Sequence, residues 1–87
     1  MRRSMEKTFE VHLEENVDAR TIAQVVQVAS KYESTLHLLA GNVRANVKSI
    51  MGMMALQLRE GDQVTLVAEG GDETEAIAGL EAYFTKA

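Results

Sequence analysis

The sequence predicts an α+β domain in which three helices pack on one face of a four-stranded antiparallel sheet. Several segments alternate apolar and polar residues with a period of two, which indicates half-buried strands. Between these segments lie others whose apolar residues recur at helical spacing. Because helices must bury their apolar stripes, stacking them on one sheet face is the simplest arrangement for elements in the order β-α-β-β-α-β-α.

The chain has 87 residues and no proline, and neither an internal repeat nor a linker divides it. This length suits one hydrophobic core, so residues 1–87 are predicted to form a single domain. Cysteine is also absent. No disulfide or thiolate metal site is therefore expected, and no motif predicts a cofactor.

The first half of the chain predicts a strand, a helix and a hairpin. Apolar and polar residues alternate over residues 8–13, which predicts a strand. Residues 16–18 then turn the chain into a helix. The apolar stripe of that helix consists of Ile22, Val25, Val26, Ala29 and Tyr32. Strands are predicted over residues 35–40 and 43–46, with a hairpin turn at residues 41–42.

The second half predicts a short helix, a strand and a last helix. Ser49 precedes an apolar stretch and is a predicted N-cap, because its hydroxyl can accept a bond from an orphan backbone N–H. Residues 61–62 end this helix, and residues 63–69 alternate as a strand. Asp72, with Glu75 three residues later, predicts a capping-box start for the last helix. The buried side of that helix is predicted to contain Ile77, Leu80 and Phe84.

Charge and composition exclude several classes of partner. The formal net charge is −4 and only four residues are aromatic. Nucleic-acid binding normally needs a concentrated basic face or a series of stacking aromatics, so it is not expected. No apolar run reaches the roughly 18–20 residues that span a bilayer, and the basic first residues precede no signal-peptide run. We therefore expect a cytoplasmic protein without a membrane partner.

A nine-residue segment closely resembles the regulatory-serine segment of the HPr proteins of the sugar phosphotransferase system: Lys48-Ser49-Ile50-Met51-Gly52-Met53-Met54-Ala55-Leu56. The preceding Asn46-Val47 and residues 70–73 also fit, and the likeness extends over nearly the whole chain from Lys7. The resemblance implies the open-faced sandwich of the HPr fold.

The chain departs from the family at the phosphocarrier motif, which reads Gly, an aliphatic residue, His, Ala, Arg, Pro, Ala. Here residues 16–22 read Asn-Val-Asp-Ala-Arg-Thr-Ile, so Asp18 stands where the family has its histidine and Thr21 replaces the proline. In the family that histidine takes phosphate from enzyme I and passes it to sugar-specific acceptors. A carboxylate lacks the nucleophilic imidazole of this relay, although it could form an acyl phosphate. Asp18 is also a predicted N-cap of the first helix.

Arg20 lies in the first turn of the predicted helix. In the family the matching arginine contacts the phosphate and partner proteins. Two interpretations stay open here: Arg20 binds an acidic partner, or it pairs with Asp18 or a nearby glutamate.

Ser49 is the main candidate for a modification site. The resemblance implies phosphorylation by the bifunctional HPr kinase/phosphorylase, whereas the sequence alone indicates an N-cap. The two roles are compatible, because a helix N-terminus offers free N–H donors to a phosphate of about −1.5 to −2 charges. Lys48, beside the serine, is expected to compensate part of that charge.

The residues after Ser49 are expected to form a docking surface. Ile50, Met51, Met53 and Met54 cannot all face the core from so short a helix. Methionine adapts to partners of different shape, and the corresponding patch docks partners in HPr. Met51 and Met54 are the principal candidates, whereas one or two of the methionines are expected to fill the core.

Two other groups carry no predicted chemistry. His12 and His37 are expected to be ordinary strand residues. The acidic residues Asp72, Glu73 and Glu75 indicate helix capping rather than metal binding.

The combined pattern identifies the chain as a member of the Crh-like branch of the HPr family, which lacks the carrier histidine. This implies a non-enzymatic regulator switched at Ser49 by HPr kinase/phosphorylase, docking on a CcpA-type transcription regulator in carbon catabolite control. A strand-exchanged homodimer is known in this branch. Two alternatives stay open: a phosphocarrier with its acceptor at Asp18, and an interaction domain that keeps neither phosphorylation.

Overall fold

A computed structural model describes residues 4–13 and 17–85 of the chain. Within these residues the elements follow the predicted order β-α-β-β-α-β-α. Their bounds are β1 Ser4–Glu10, α1 Ala19–Ala29, β2 Thr35–Ala40, β3 Val43–Asn46, α2 Ile50–Ala55, β4 Gln63–Glu69 and α3 Glu73–Phe84.

The four strands form one antiparallel sheet in the order β1-β4-β2-β3. Alternation places Leu38 of β2 opposite both Leu66 of β4 and Ala45 of β3, on the face that the helices cover. These three side chains are buried in the core together with residues of all three helices. On the other face, residues such as His37 and Thr65 stay partly exposed. The predicted α+β architecture is therefore confirmed.

The first strand differs from its prediction over residues 8–13, because β1 begins at Ser4 and ends at Glu10. Its whole length pairs with β4, from Ser4 opposite Glu69 to Glu10 opposite Gln63. After Glu10 the chain leaves the ladder: the backbone N–H of Val11 donates to the carbonyl of Asp62, at 2.8 Å. Val11 is still buried, which explains why the alternation of apolar and polar residues continues past the end of β1. Its backbone, however, bonds a turn rather than a neighbouring strand.

Helix α1 carries the predicted stripe. Ile22, Val25 and Ala29 are buried in the core, and Val26 and Tyr32 pack against it from half-buried positions. Such a stripe, repeated at the helical period, allows one side of α1 to pack in the core.

The capping-box prediction for α3 is wrong. Asp72 is the N-cap residue, but its side chain makes no capping bond within the helix. Its carboxylate instead accepts bonds from the backbone N–H groups of Glu33 and Ser34, both at 2.9 Å, and from the Ser34 hydroxyl at 2.5 Å. Glu73 Oε2, not Glu75, accepts bonds from the N–H groups of residues 70 and 71. Tertiary packing brings the chain that enters β2 beside Asp72. The Asp72 carboxylate therefore bonds that chain instead of the first turn of its own helix.

Candidate functional site

Asp18 is the N-cap of α1, as predicted. Its backbone is extended, with φ −108° and ψ −175°, and its carboxylate accepts a bond from the Thr21 N–H at 3.0 Å. The Thr21 hydroxyl donates to the same oxygen at 3.2 Å. The backbone N–H of Thr21 is the main cause that lowers the pKa of Asp18 below its ordinary value. Asp18 is thus an ionised N-cap whose carboxylate is bonded to the first turn of α1.

Arg20 is exposed in the first turn of α1. Among the residues that the structure describes, no carboxylate forms an ion pair with its guanidinium, so the pairing with Asp18 that one of the two open interpretations invoked is not observed. The alternative pairing with Glu14 or Glu15 falls outside the described residues.

Ser49 is the N-cap of α2, also as predicted. Its backbone is extended, and its Oγ accepts a bond from the Gly52 N–H at 3.1 Å. A methyl group at position 52 would lie 3.3 Å from that Oγ, so glycine leaves the space around the hydroxyl open. The serine itself is half-buried. The hydroxyl is therefore bonded to the start of α2 in a residue that is not fully buried.

Lys48 is held by the segment that follows α1 rather than extended over Ser49. Its Nζ donates to the carbonyl of Tyr32, just beyond the end of α1, at 2.7 Å. Its backbone N–H donates to Asn46 Oδ1 at 2.9 Å, within the turn that leads into α2. In the unmodified protein the ammonium group thus satisfies a carbonyl near the negative end of α1.

The apolar residues of α2 divide between core and solvent. Met53 is completely buried, whereas Met51 is 84% exposed. Ile50 and Met54 are exposed to 47% and 46%. Ile50, Met51 and Met54, which we call the α2 patch, form the exposed apolar surface expected beside Ser49, and Met53 is the methionine that fills the core.

An open groove of about 430 Å³ continues from the α2 patch toward the start of α1. Apolar side chains form much of it, including Met54, which belongs to the patch as well. The lining of this α1–α2 groove comprises Val17, Ile22, Met53, Met54, Gln57, Leu58 and Arg59. Gln57, Leu58 and Arg59 belong to no motif visible in the sequence, since only the packing of α2 against α1 brings them to this surface.

Gln57 has a left-handed backbone, with φ +51°, the one such non-glycine residue in the described part of the chain. It follows Leu56, the C-cap of α2, in the position where glycine is favoured. We expect Gln57→Gly to raise the free energy of unfolding by about 0.5–1 kcal/mol, since relief of left-handed strain exceeds the entropy glycine adds to the unfolded chain. Urea unfolding measures this change, and Gln63→Gly, on strand β4, is the control that should destabilise. A loss of stability in Gln57→Gly would contradict the expectation.

The two histidines differ from each other. His37 lies on β2 as expected, and burial, followed by the charge of Arg44, lowers its pKa. His12 lies beyond β1: its Nδ1 is 2.7 Å from Glu60 Oε2 and its Nε2 is 3.2 Å from Glu10 Oε1. The hydrogen bond to Glu60 raises the pKa of His12 above its ordinary value of 6.5. His12 therefore lies outside the named strands, in an isolated bridge to Thr85, and its side chain joins Glu10 of β1 to Glu60, whereas an ordinary strand residue was expected.

The raised pKa of His12 predicts a pH-dependent stability. Its contribution is fully present below the unfolded pKa of 6.5 and is lost as pH rises through the higher folded pKa. As pH rises through this range, the free energy of unfolding should therefore fall more steeply in the wild type than in His12→Gln. The lowered pKa of His37 changes stability with pH in the opposite direction. Because His37 is present in both proteins, its effect cancels in the comparison. Equal slopes would refute this role of His12.

The described residues contain no group of three or more histidine, aspartate or glutamate side chains that could hold a metal ion. None of the helices in this part of the chain has the length and apolar character needed to cross a bilayer.

Comparison with known proteins agrees with the fold of three helices on a four-stranded antiparallel sheet. The family model described as "PTS HPr component phosphorylation site" matches residues 5–86. The chain therefore belongs to the HPr family of the phosphotransferase system.

Within this family the chain is similar to both regulators and carriers. It is 39% identical to the HPr-like protein Crh of Halalkalibacterium halodurans over 82 residues, covering 94% of this chain and 98% of that protein. The crystal structure of the phosphocarrier protein HPr from Bacillus anthracis superposes with a TM-score of 0.88 at 33% identity, covering 93% and 96% of the two chains. Crh from Bacillus subtilis, an intertwined dimer with a swapped domain, superposes with a TM-score of 0.76 at 41% identity over 90% of each chain.

Proposed function

We propose that this protein is a regulator of carbon catabolite control that is switched by phosphorylation at Ser49. The observation that carries the proposal is the half-buried Ser49 at the start of α2, which lies beside an exposed apolar patch in a segment resembling the regulatory-serine segment of HPr proteins. The similarity to Crh proteins, one of which is described as a catabolite-repression protein, supports the same conclusion. The protein acts by docking and is not itself an enzyme.

Asp18 makes histidine phosphoryl relay inaccessible to this chain. The carboxylate occupies the position that the resemblance assigns to the carrier histidine, and it is already bonded to the N–H and hydroxyl of Thr21. It offers no imidazole nitrogen to enzyme I. Asp18 therefore serves to cap α1. Together with the exposed Arg20, this helix start forms part of a surface for partners.

Phosphorylation would change the surface at Ser49 while retaining the fold. A phosphate adds about −1.5 to −2 charges and three acceptor oxygens beside the first N–H groups of α2. Gly52 leaves room there, since the space next to Oγ is unfilled by a side chain. Lys48 is a neighbouring cation that can exchange its bond to Tyr32 for one to the phosphate. The modified surface then combines a dianion with the α2 patch.

Two cytoplasmic partners follow from this proposal. HPr kinase/phosphorylase adds and removes the phosphate at Ser49. A CcpA-type transcription regulator then binds the phosphorylated form through Arg20, Lys48, Ile50, Met51 and Met54. The swapped dimer of the Bacillus subtilis relative supports a homodimer as a second state of this chain.

Mass spectrometry after incubation with HPr kinase and ATP tests the switch. We expect one added phosphate on the wild type and none on Ser49→Ala, because the acceptor hydroxyl is removed. Ser30→Ala is the matched control: Ser30 is also exposed near a helix end, and its variant should still be phosphorylated. Native spectra of the same samples report whether the protein is a monomer or a dimer.

Three outcomes would oppose the proposal. An unmodified wild type, with the kinase active on an ordinary HPr, would exclude the Ser49 switch. Retention of the phosphate in Ser49→Ala would place the modification elsewhere. Labelling by phosphoenolpyruvate and enzyme I that Asp18→Ala abolishes would instead support a carrier with its acceptor at Asp18.

A further inference from the structure

Met51 is the most exposed of the methionines that the structure describes. It is 84% exposed, whereas Met54 and Met5 are 46% and 39% exposed. Met53, on the same short helix, is completely buried, and Met1 lies outside the described residues. A buried thioether meets an oxidant only after the core around it opens, so the order of exposure is also the order of access from solution.

Methionine is the only sulfur-containing residue of this chain, which has five methionines and no cysteine. Thiolates, the side chains that ordinarily react first with peroxides, are therefore absent. The sulfur of Met5 is also occupied, because the Thr74 hydroxyl donates to it at 3.4 Å. A lone pair engaged in this way is less available to an electrophilic oxygen atom. Among the described residues, a peroxide should therefore react first with Met51.

Oxidation of Met51 would change the chemistry of the α2 patch. Hydrogen peroxide transfers one oxygen atom to the thioether: the O–O bond breaks, an S–O bond forms, and the second oxygen leaves as water with both protons. The sulfur lone pair supplies the two electrons that reduce the peroxide. The product, a sulfoxide, is polar and accepts hydrogen bonds. An apolar partner surface offers it no donor, so burying the sulfoxide is less favourable than burying the thioether.

We propose that Met51 is an oxidation site through which peroxide releases this protein from its regulator. The inference rests on the proposed function, because the site lies in the α2 patch that docks beside Ser49. Docking then requires both a phosphate on Ser49 and a reduced sulfur on Met51. A methionine sulfoxide reductase reverses the change, since a dithiol removes the oxygen as water and becomes a disulfide. The fold is retained throughout, because the core methionine, Met53, stays buried.

Limited treatment of the Ser49-phosphorylated protein with hydrogen peroxide, followed by peptide mapping in a mass spectrometer, tests the chemical step. We expect the sulfoxide to form at least about tenfold faster at Met51 than at Met53, with Met54 and Met5 between them. Thermal unfolding of the treated protein should match that of the untreated protein, because the oxidised side chain faces solvent.

Isothermal titration tests the consequence for docking. The peroxide is first removed by desalting, so that the CcpA-type regulator itself is never oxidised. We expect the oxidised wild type to bind about tenfold more weakly than the reduced protein. Treatment with methionine sulfoxide reductase should restore the affinity.

Three variants assign the effect to one sulfur atom, and each is compared with itself before and after peroxide. Met51→Leu should show no change on treatment, because leucine has no sulfur to oxidise. Met54→Leu is the matched control on the α2 patch, and Met5→Leu is the control on β1. Both should still lose affinity on treatment, since each retains Met51.

The outcomes separate this inference from the function on which it rests. A reduced, phosphorylated wild type that does not bind the regulator would overturn the proposed function and the release by peroxide with it. A wild type that binds equally well with Met51 reduced or oxidised would overturn the oxidation site alone. So would a loss of affinity that persists in Met51→Leu, or equal rates of oxidation at Met51 and Met53.

Discussion

Replacing Met53 by alanine is expected to lower the free energy of unfolding by about 2–5 kcal/mol. The side chain is completely buried in the core cluster, and its removal leaves a cavity that the surrounding side chains fill only in part. A domain of 87 residues has a total stability of about 4–13 kcal/mol, so the change could unfold much of the population. Chemical denaturation monitored by circular dichroism gives the value directly.

Met51→Ala is the matched control on the same helix. Met51 is 84% exposed, and we expect its replacement to change stability by less than about 0.5 kcal/mol. If Met51 belongs to the docking surface, this variant should instead weaken binding of the phosphorylated protein to the regulator. Equal loss of stability in the two variants would contradict the division of α2 into a buried and an exposed side.

Ser34→Ala is expected to destabilise the protein by about 1.5–3 kcal/mol, the usual value of a hydrogen bond to a charged group. Ser34 is completely buried, and its hydroxyl donates to the Asp72 carboxylate at 2.5 Å. This bond joins the chain entering β2 to the start of α3, across 38 residues of sequence. Urea unfolding at neutral pH measures the loss.

Acid unfolding provides a second measurement on the same variant. The Ser34 hydroxyl is the main cause that lowers the pKa of Asp72 below its ordinary value of 3.8. This stability is present above the unfolded pKa and is lost as pH falls through the lower folded pKa. Ser34→Ala should therefore lose less of its remaining stability in this acid range than the wild type. Ser30→Ala, with its hydroxyl bonded locally to Val26, should behave like the wild type in both experiments. An unchanged acid profile in Ser34→Ala would show that the bond does not control Asp72.

The features that the sequence predicts correctly depend on neighbours within a few residues. The bounds of β2, β3 and β4 agree with the alternating segments at residues 35–40, 43–46 and 63–69. Glycine-containing turns separate β2 from β3 and lie on both sides of β4. The caps at Asp18 and Ser49 are equally local, since each side chain bonds an N–H three residues later. The resemblance in residues 48–56 indicated the HPr family, and the family model that matches residues 5–86 confirms that membership.

Tertiary structure decided the features that depend on contacts between distant segments. The carboxylate of Asp72 bonds residues 33 and 34 instead of its own helix, because the fold places those N–H groups and a buried hydroxyl nearer to it. Lys48 likewise reaches the carbonyl of Tyr32 rather than remaining over Ser49. Neither partner can be identified from spacing along the chain.

The same reason explains the candidate site. The sequence by itself determined that α2 has more apolar side chains than a short helix can bury, and that Ser49 begins it. Only the packing of α2 against α1 and the sheet decided that Met53 enters the core while Met51 faces solvent. That packing also placed Arg59 beside Val17 in one groove, since two segments more than 40 residues apart share a surface only after the chain has folded.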